Sequence, residues 1–119
     1  MIENMTAKEL TLAICEALSE KKGKDIVYID VEKKTSLCSY FVLASGSSST
    51  QVKSLAENVE EKMEKNFDLA PTRLEGVHDG RWAVLDYGDV MVHVFSEDAR
   101  EFYRLERLWE EDGNLSKYE

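Results

Sequence analysis

Apolar residues along this chain recur with two periods. Leu10, Ala13, Ile14, Ala17 and Leu18 follow helical spacing behind Thr6-Ala7-Lys8-Glu9, a capping-box sequence whose threonine and glutamate can satisfy each other's free backbone N–H groups. Lys21, Lys22 and Gly23 close that helix, the cations suiting its C-terminal dipole and the glycine a left-handed cap. Asp25–Glu32 alternates instead. Val27, Ile29 and Val31 oppose Tyr28 and Asp30, which predicts a strand. Tyr40–Ala44 is apolar on both faces, as in a central strand covered on both sides. Ser45-Gly46-Ser47-Ser48-Ser49-Thr50 breaks that run, and Ser48 and Gln51 have capping-box spacing at the start of a second helix. Val52, Leu55, Ala56, Val59 and Met63 form its apolar stripe, and Asn66 and Pro71 mark its end.

Thr72–Val77 predicts a short strand, with Asp79-Gly80 as a hairpin-type turn. Arg81–Tyr87 and Val90–Phe95 are two more strands around Gly88-Asp89. A closing helix capped by Ser96 puts Phe102, Leu105, Glu106 and Trp109 on one face, with Tyr103 nearby, and residues 111–119 read as a polar, frayed tail. The order α-β-β-α-β-β-β-α predicts an α/β (α+β) fold, a mixed β-sheet with packed helices. With no internal repeat or low-complexity stretch, residues 1–119 are expected to form one domain with its core at about 6–110.

Composition agrees with a folded protein: 43% of the 119 residues are apolar and 33% charged, with a single proline. The 24 acidic and 15 basic residues give a net charge of −9, which disfavours non-specific binding to nucleic acid and favours a basic protein partner. Apolar runs such as Tyr40–Ala44 are too short to span a membrane, and Met1-Ile2-Glu3-Asn4 lacks a signal pattern. Cys15 and Cys38 lie far apart, and His78 and His93 have no zinc-type spacing. These features read as a cytoplasmic protein with free thiols, no metal and no cofactor.

The last two strands yield the most specific inference. A two-residue turn at Gly88-Asp89 pairs Tyr87 with Val90, Asp86 with Met91, Val84 with His93 and Trp82 with Phe95. One face then carries Ala83, Leu85, Tyr87, Val90, Val92 and Val94, which is core. The other carries Trp82, Val84, Asp86, Met91, His93 and Phe95, a mixture of aromatic, methionine and ionisable groups suited to a protein interface. The alternative is that a helix covers this second face, leaving Asp86 and His93 at its wet edge.

Catalytic constellations are weak by comparison. Gly46–Thr50 leads into a helix N-terminus but lacks the lysine of a P-loop and the spacing of a dinucleotide fingerprint. Asp30 and Glu32 share a strand face and could hold magnesium, yet nucleotidyl transferases place their Gly-Ser pair before the carboxylates, and here Gly46-Ser47 follows them. His93 and Asp86 have no serine or cysteine placed beside them as nucleophile, and Cys38 reads as a small buried residue.

Three segments resemble the ribosomal silencing factor family, also called Iojap-like. Tyr40-Phe41-Val42-Leu43-Ala44-Ser45-Gly46-Ser47-Ser48-Ser49-Thr50-Gln51-Val52 is similar to the family's first signature. Glu75-Gly76, Trp82 and Leu85-Asp86-Tyr87-Gly88-Asp89-Val90-Met91-Val92-His93-Val94-Phe95 resemble its second, and Phe102–Trp109 its closing helix. Ser39 departs from the acid that many members carry there. The resemblance implies a non-enzymatic translational repressor with a nucleotidyltransferase-like fold that lacks the catalytic carboxylates. It further implies binding to large-subunit ribosomal protein fourteen on the free large ribosomal subunit, a block on joining of the small subunit when nutrients are scarce, and homodimers. The family's partner-binding tryptophan aligns with Trp82, and its neighbours with Val84, Asp86 and Tyr87; Met91, His93 and Phe95 join them from the strand pairing. The alternative function is a nucleotidyltransferase-like nucleotide-binding protein using Asp30, Glu32 and the Gly46–Thr50 loop.

Overall fold

A computed structural model describes residues 5–118; Met1-Ile2-Glu3-Asn4 and Glu119, parts of the leader and tail readings, lie outside the described residues. Helix α1 (Ala7–Glu20) starts as the sequence predicts: Glu9 N donates to Thr6 Oγ1 at 3.0 Å, and Thr6 N donates to Glu9 Oε1 at 2.9 Å. At its end the left-handed residue is Lys22 (φ 62°), not Gly23. Gly23 has a different duty, because a Cβ there would stand 3.1 Å from Leu18 O and 3.3 Å from a Leu55 methyl. The glycine therefore lets α1's exit approach the second helix closely.

Strands β1 (Lys24–Asp30) and β2 (Tyr40–Gly46) pair antiparallel, and helix α2 (Ser49–Phe67) returns across the sheet. Strands β3 (Arg73–Glu75), β4 (Trp82–Asp86) and β5 (Val90–Ser96) form an antiparallel meander. The β3–β4 connection is a loop over 76–81, in which Gly80 N donates to Gly76 O, rather than a tight turn at Asp79-Gly80. Strand β5 pairs in parallel with β2, giving a six-stranded mixed sheet once strand β6 (Leu115–Lys117) joins the free edge of β1; the order is β3-β4-β5-β2-β1-β6.

Two layers of core follow from the strand alternation. Val42, Ala44, Ala83, Leu85, Tyr87, Val90, Val92 and Val94 point to α1 and α2 and meet Leu10, Ile14, Leu18, Val52, Leu55, Val59 and Met63. The opposite face carries Val27, Ile29, Phe41, Leu43 and Phe95 beneath two short helices, α3 (Glu97–Tyr103) and α4 (Leu105–Trp109).

These helices replace the single closing helix that periodicity predicts. Arg104, in the left-handed region at φ 47°, separates them, at an expected strain of about 1 kcal/mol. Ion pairs hold the bend. Arg104 Nη2 lies 2.6 Å from Glu101 Oε1, and Arg100 Nε donates across the bend to Glu106 Oε2 at 2.8 Å. Arg100 also donates to Ser45 Oγ and Asp25 O, tying the bend to the sheet. Leu105 and Trp109 are thereby turned onto the sheet while Phe102 stays 73% exposed, so the expected common face of Phe102, Leu105, Glu106 and Trp109 does not form.

Nor do the last described residues fray. Asp112 and Gly113 both take positive φ and reverse the chain into β6. Asn114 fixes this return, donating to Asp30 O at 2.9 Å and Trp109 O at 3.0 Å and accepting from Glu111 N at 2.6 Å. Replacing Asn114 by Ala leaves these backbone groups without that side chain, and the protein is expected to lose about 1–2 kcal/mol in urea unfolding. A change below about 0.5 kcal/mol, the range of an ordinary surface substitution, would mean that the segment behaves as a tail.

Candidate docking site

The β4–β5 hairpin has the expected register, Trp82↔Phe95, Val84↔His93 and Asp86↔Met91, and Tyr87 N donates to Val90 O at 2.9 Å beside the Gly88-Asp89 turn. Asp86 stabilises that turn through its side chain, accepting from Gly88 N at 2.8 Å on Oδ1. The mixed face therefore exists as a face, but its residues sit at different depths. Helices α3 and α4 cover its β5 side, leaving Phe95 fully buried and His93 only 6% exposed. Trp82, Val84, Asp86 and Met91 are half-buried where helix cover runs out.

Those four side chains are the part of the predicted set with surface to offer a partner. Phe95 and His93 instead support the patch from beneath. Tyr87 points to the other side of the sheet, into the core under α1 and α2, with 8% exposure. Burial, with a smaller contribution from nearby Glu60, holds the Tyr87 hydroxyl well above the ordinary tyrosine range.

An aromatic cluster fixes the centre of the patch. The Trp82 ring lies 4.9 Å from that of Phe95 and 4.7 Å from that of Tyr103 at the end of α3. Its Nε1–H donates to His93 Nδ1 at 3.1 Å. Phe41 meets His93 edge-on at 5.1 Å and Trp109 at 4.9 Å, so α4 buttresses the same cluster. Tyr103 and Trp109 are partners that strand pairing alone does not place: Tyr103 closes α3, and the bend at Arg104 turns Trp109 onto Phe41.

The other sites weighed in the sequence are occupied by local structure. Ser48 caps α2 by accepting from Gln51 N at 3.1 Å. Gln51 does not complete a capping box: its Oε1 accepts from Ser47 N and Oγ, and its Nε2 donates to Lys21 O and Lys22 O. The Gly46–Thr50 loop is thus spent on tying α2 to the end of α1. Gly46 itself lies where a Cβ would come within 3.0 Å of Val52.

Asp30 Oδ1 accepts from Glu32 N at 3.1 Å, a local turn contact. Among the described residues, no group of three or more His, Cys, Asp or Glu side chains is placed to hold a metal ion. Burial pushes the Cys15 thiol up to about 12, and burial with nearby Asp86 and Asp89 pushes Cys38 to about 11, so both are protonated and unreactive near neutral pH. No helix among the described residues is long and apolar enough to cross a membrane.

This arrangement defines an α+β protein presenting a small aromatic–acidic patch at the uncovered end of one sheet face. The chain belongs to the family described as "Ribosomal silencing factor during starvation", which matches residues 4–119. Ribosomal silencing factor RsfS of Chromobacterium violaceum is 41% identical over 106 residues, covering 88% of this chain and 85% of that one. A crystal structure of a C. violaceum protein, 37% identical, superposes with a TM-score of 0.85 over 92% of each chain. A more distant relative, mitochondrial assembly of ribosomal large subunit protein 1 of Mus musculus, is 28% identical over 95 residues; the match takes in 77% of this chain and 41% of that protein.

His93 makes the patch's foundation sensitive to acid. Burial lowers its pKa to about 4, against about 6.5 for an unperturbed histidine. Above pH 6.5 both folded and unfolded states hold it neutral; below, the unfolded chain takes up the proton first. The stability tied to the neutral ring is therefore present above pH 6.5 and lost as pH falls to about 4, by up to about 3 kcal/mol. Urea unfolding of wild type and His93→Phe at a series of pH values should show wild type losing stability relative to the variant over that window, by up to about 3 kcal/mol. A constant difference would show that His93 titrates normally.

Proposed function

We propose that this chain represses translation by binding the free large ribosomal subunit through large-subunit ribosomal protein fourteen and obstructing joining of the small subunit. The observation that carries this reading is the half-buried Trp82–Val84–Asp86–Met91 patch, held by buried aromatics where α3 and α4 leave the sheet uncovered. Membership of the silencing-factor family supports the ribosome as the target. The name of the mouse relative, a protein of ribosomal large subunit assembly, supports the large subunit in particular.

The mechanism is occlusion in the cytoplasm. It needs no catalytic group, only affinity for a surface that the small subunit must also cover. Trp82 supplies the apolar anchor, and the apolar flanks Val84 and Met91 exclude water around it. Asp86 and the net charge of −9 steer the domain towards a basic protein surface and away from exposed RNA phosphates. A homodimer formed through the same patch would compete with this docking.

Sucrose-gradient sedimentation with purified subunits tests the reading. Wild type should comigrate with large subunits and suppress joining, and Trp82→Ala should bind about thirtyfold more weakly, a loss of about 2 kcal/mol. Equal activity of the two proteins would move the contact elsewhere on the molecule. Failure of wild type to comigrate would refute the ribosomal reading.

Asp86→Asn separates steering from contact, because an amide oxygen can still accept from Gly88 N while the charge is gone. Its association rate should be a few-fold lower at low salt and converge on wild type above about 0.5 M, where charge is screened. An unchanged rate at low salt would remove Asp86 from the encounter.

A further inference from the structure

The bond between Trp82 and His93 determines what the docking patch can offer. An indole N–H only donates, so His93 Nδ1 must be the acceptor in the 3.1 Å contact. The neutral imidazole then carries its proton on Nε2, and that atom is buried with no hydrogen-bond partner among the described residues. A buried polar group left unpaired destabilises a fold by about 1–3 kcal/mol. A phenylalanine would fill a similar space without that cost, so packing alone does not account for a histidine. The feature an imidazole adds here is the Nδ1 acceptor aimed at Trp82.

Trp82 is correspondingly constrained. Its ring packs on Phe95 beneath it and on Tyr103 of α3, and its single polar atom is directed inward. Everything else in the side chain is hydrocarbon. We infer that His93 is a positioning residue: it takes the Trp82 N–H into the protein, fixes the ring between β5 and α3, and makes the patch's anchor a purely apolar one. The partner pocket that receives it is apolar and needs no hydrogen-bond acceptor for the indole. The cationic partner groups belong instead at its rim, opposite Asp86. This description of the partner rests on the docking function proposed above; the role of His93 towards Trp82 does not.

The free protein provides the first test. Long-range proton–nitrogen correlation should show His93 with Nε2 protonated and Nδ1 bare; a proton on Nδ1 would overturn the assignment without any variant being made. Exchange of the Trp82 indole N–H with solvent should be slow in wild type and at least about tenfold faster in His93→Phe. It should be slow again in His93→Asn, whose Oδ1 stands two bonds from Cβ just as Nδ1 does. Unchanged exchange in a folded His93→Phe would refute the positioning role.

Binding to purified large subunits provides the second test. His93→Phe should bind about tenfold more weakly, the loss expected when an anchor held by about one hydrogen bond is released. His93→Asn should stay within about threefold of wild type, and equal binding by all three proteins would overturn the idea that the bond presents the anchor. If wild type itself does not bind large subunits, the docking reading and the partner pocket fall together, while the exchange and tautomer data still decide whether His93 holds Trp82.

Discussion

The parallel pairing of β2 with β5 is the interaction on which the remaining structure depends. It joins two antiparallel halves, β6-β1-β2 and β5-β4-β3, that are otherwise separate ribbons. The register runs from Tyr40↔Val90 to Gly46↔Ser96, and Val42, Leu43, Ala44, Val92 and Val94 along it are fully buried. Strands of this kind must be apolar on both sides because helices lie on both faces. The pairing is also what sets Phe41 beside Met91 and Leu43 beside His93, so the floor of the docking patch is built from both halves.

Cover over the sheet is unequal, and the inequality creates the site. On one face α1 and α2 supply 14 and 19 residues and bury every inward side chain of β4 and β5. On the other, α3 and α4 supply 7 and 5 residues, enough to seal β1, β2 and Phe95 but not the β4 edge. A longer unbroken helix would run past the sheet rather than fold onto it. The bend at Arg104, held by the Arg100–Glu106 and Arg104–Glu101 pairs, therefore decides which residues are sealed. Arg100 has only 11% of its side chain exposed, so its pair with Glu106 is partly shielded from solvent, where a surface pair would contribute little.

Legibility in the sequence followed the range of the interactions. The Thr6–Glu9 box, the Ser96 cap and the Gly88-Asp89 hairpin are local, and each was readable because its partners lie within a few residues. From that hairpin the inward and outward faces of β4 and β5 followed directly. Depth on the outward face did not, since it depends on where α3 and α4 land; hence Phe95 and His93 prove to be supports. The strand β6 was missed for a related reason. Asp112-Gly113 carries a turn signal, but Leu115-Ser116-Lys117, one apolar and two polar residues, shows no alternation, and a three-residue strand is stable only against the waiting edge of β1, about 90 residues earlier in the chain. No local signal marks Arg104 as left-handed, because the ion pairs that hold it there are made only once the helix has bent.

Satisfying every polar group is the usual rule for an interior, and at His93 the fold departs from it. The Nε2–H is left without a partner among the described residues while Nδ1 serves Trp82, and Phe41 and Phe95 pack against the imidazole. Burial has a second effect, because the partly buried Trp82–His93 bond lies in a setting of lowered dielectric where a donor without its acceptor is costly. The indole is thus held inward by the same burial that penalises the imidazole. Strain of this kind persists only when the surrounding packing over-determines it, and here that packing is the β2–β5 floor and the bent α3–α4 segment. In the docking proposed above, a patch anchored this way loses little side-chain entropy, since its proposed anchor is already immobilised. Under that proposal its selectivity lies in shape and in the carboxylate of Asp86, which suits a small acidic domain acting by occlusion.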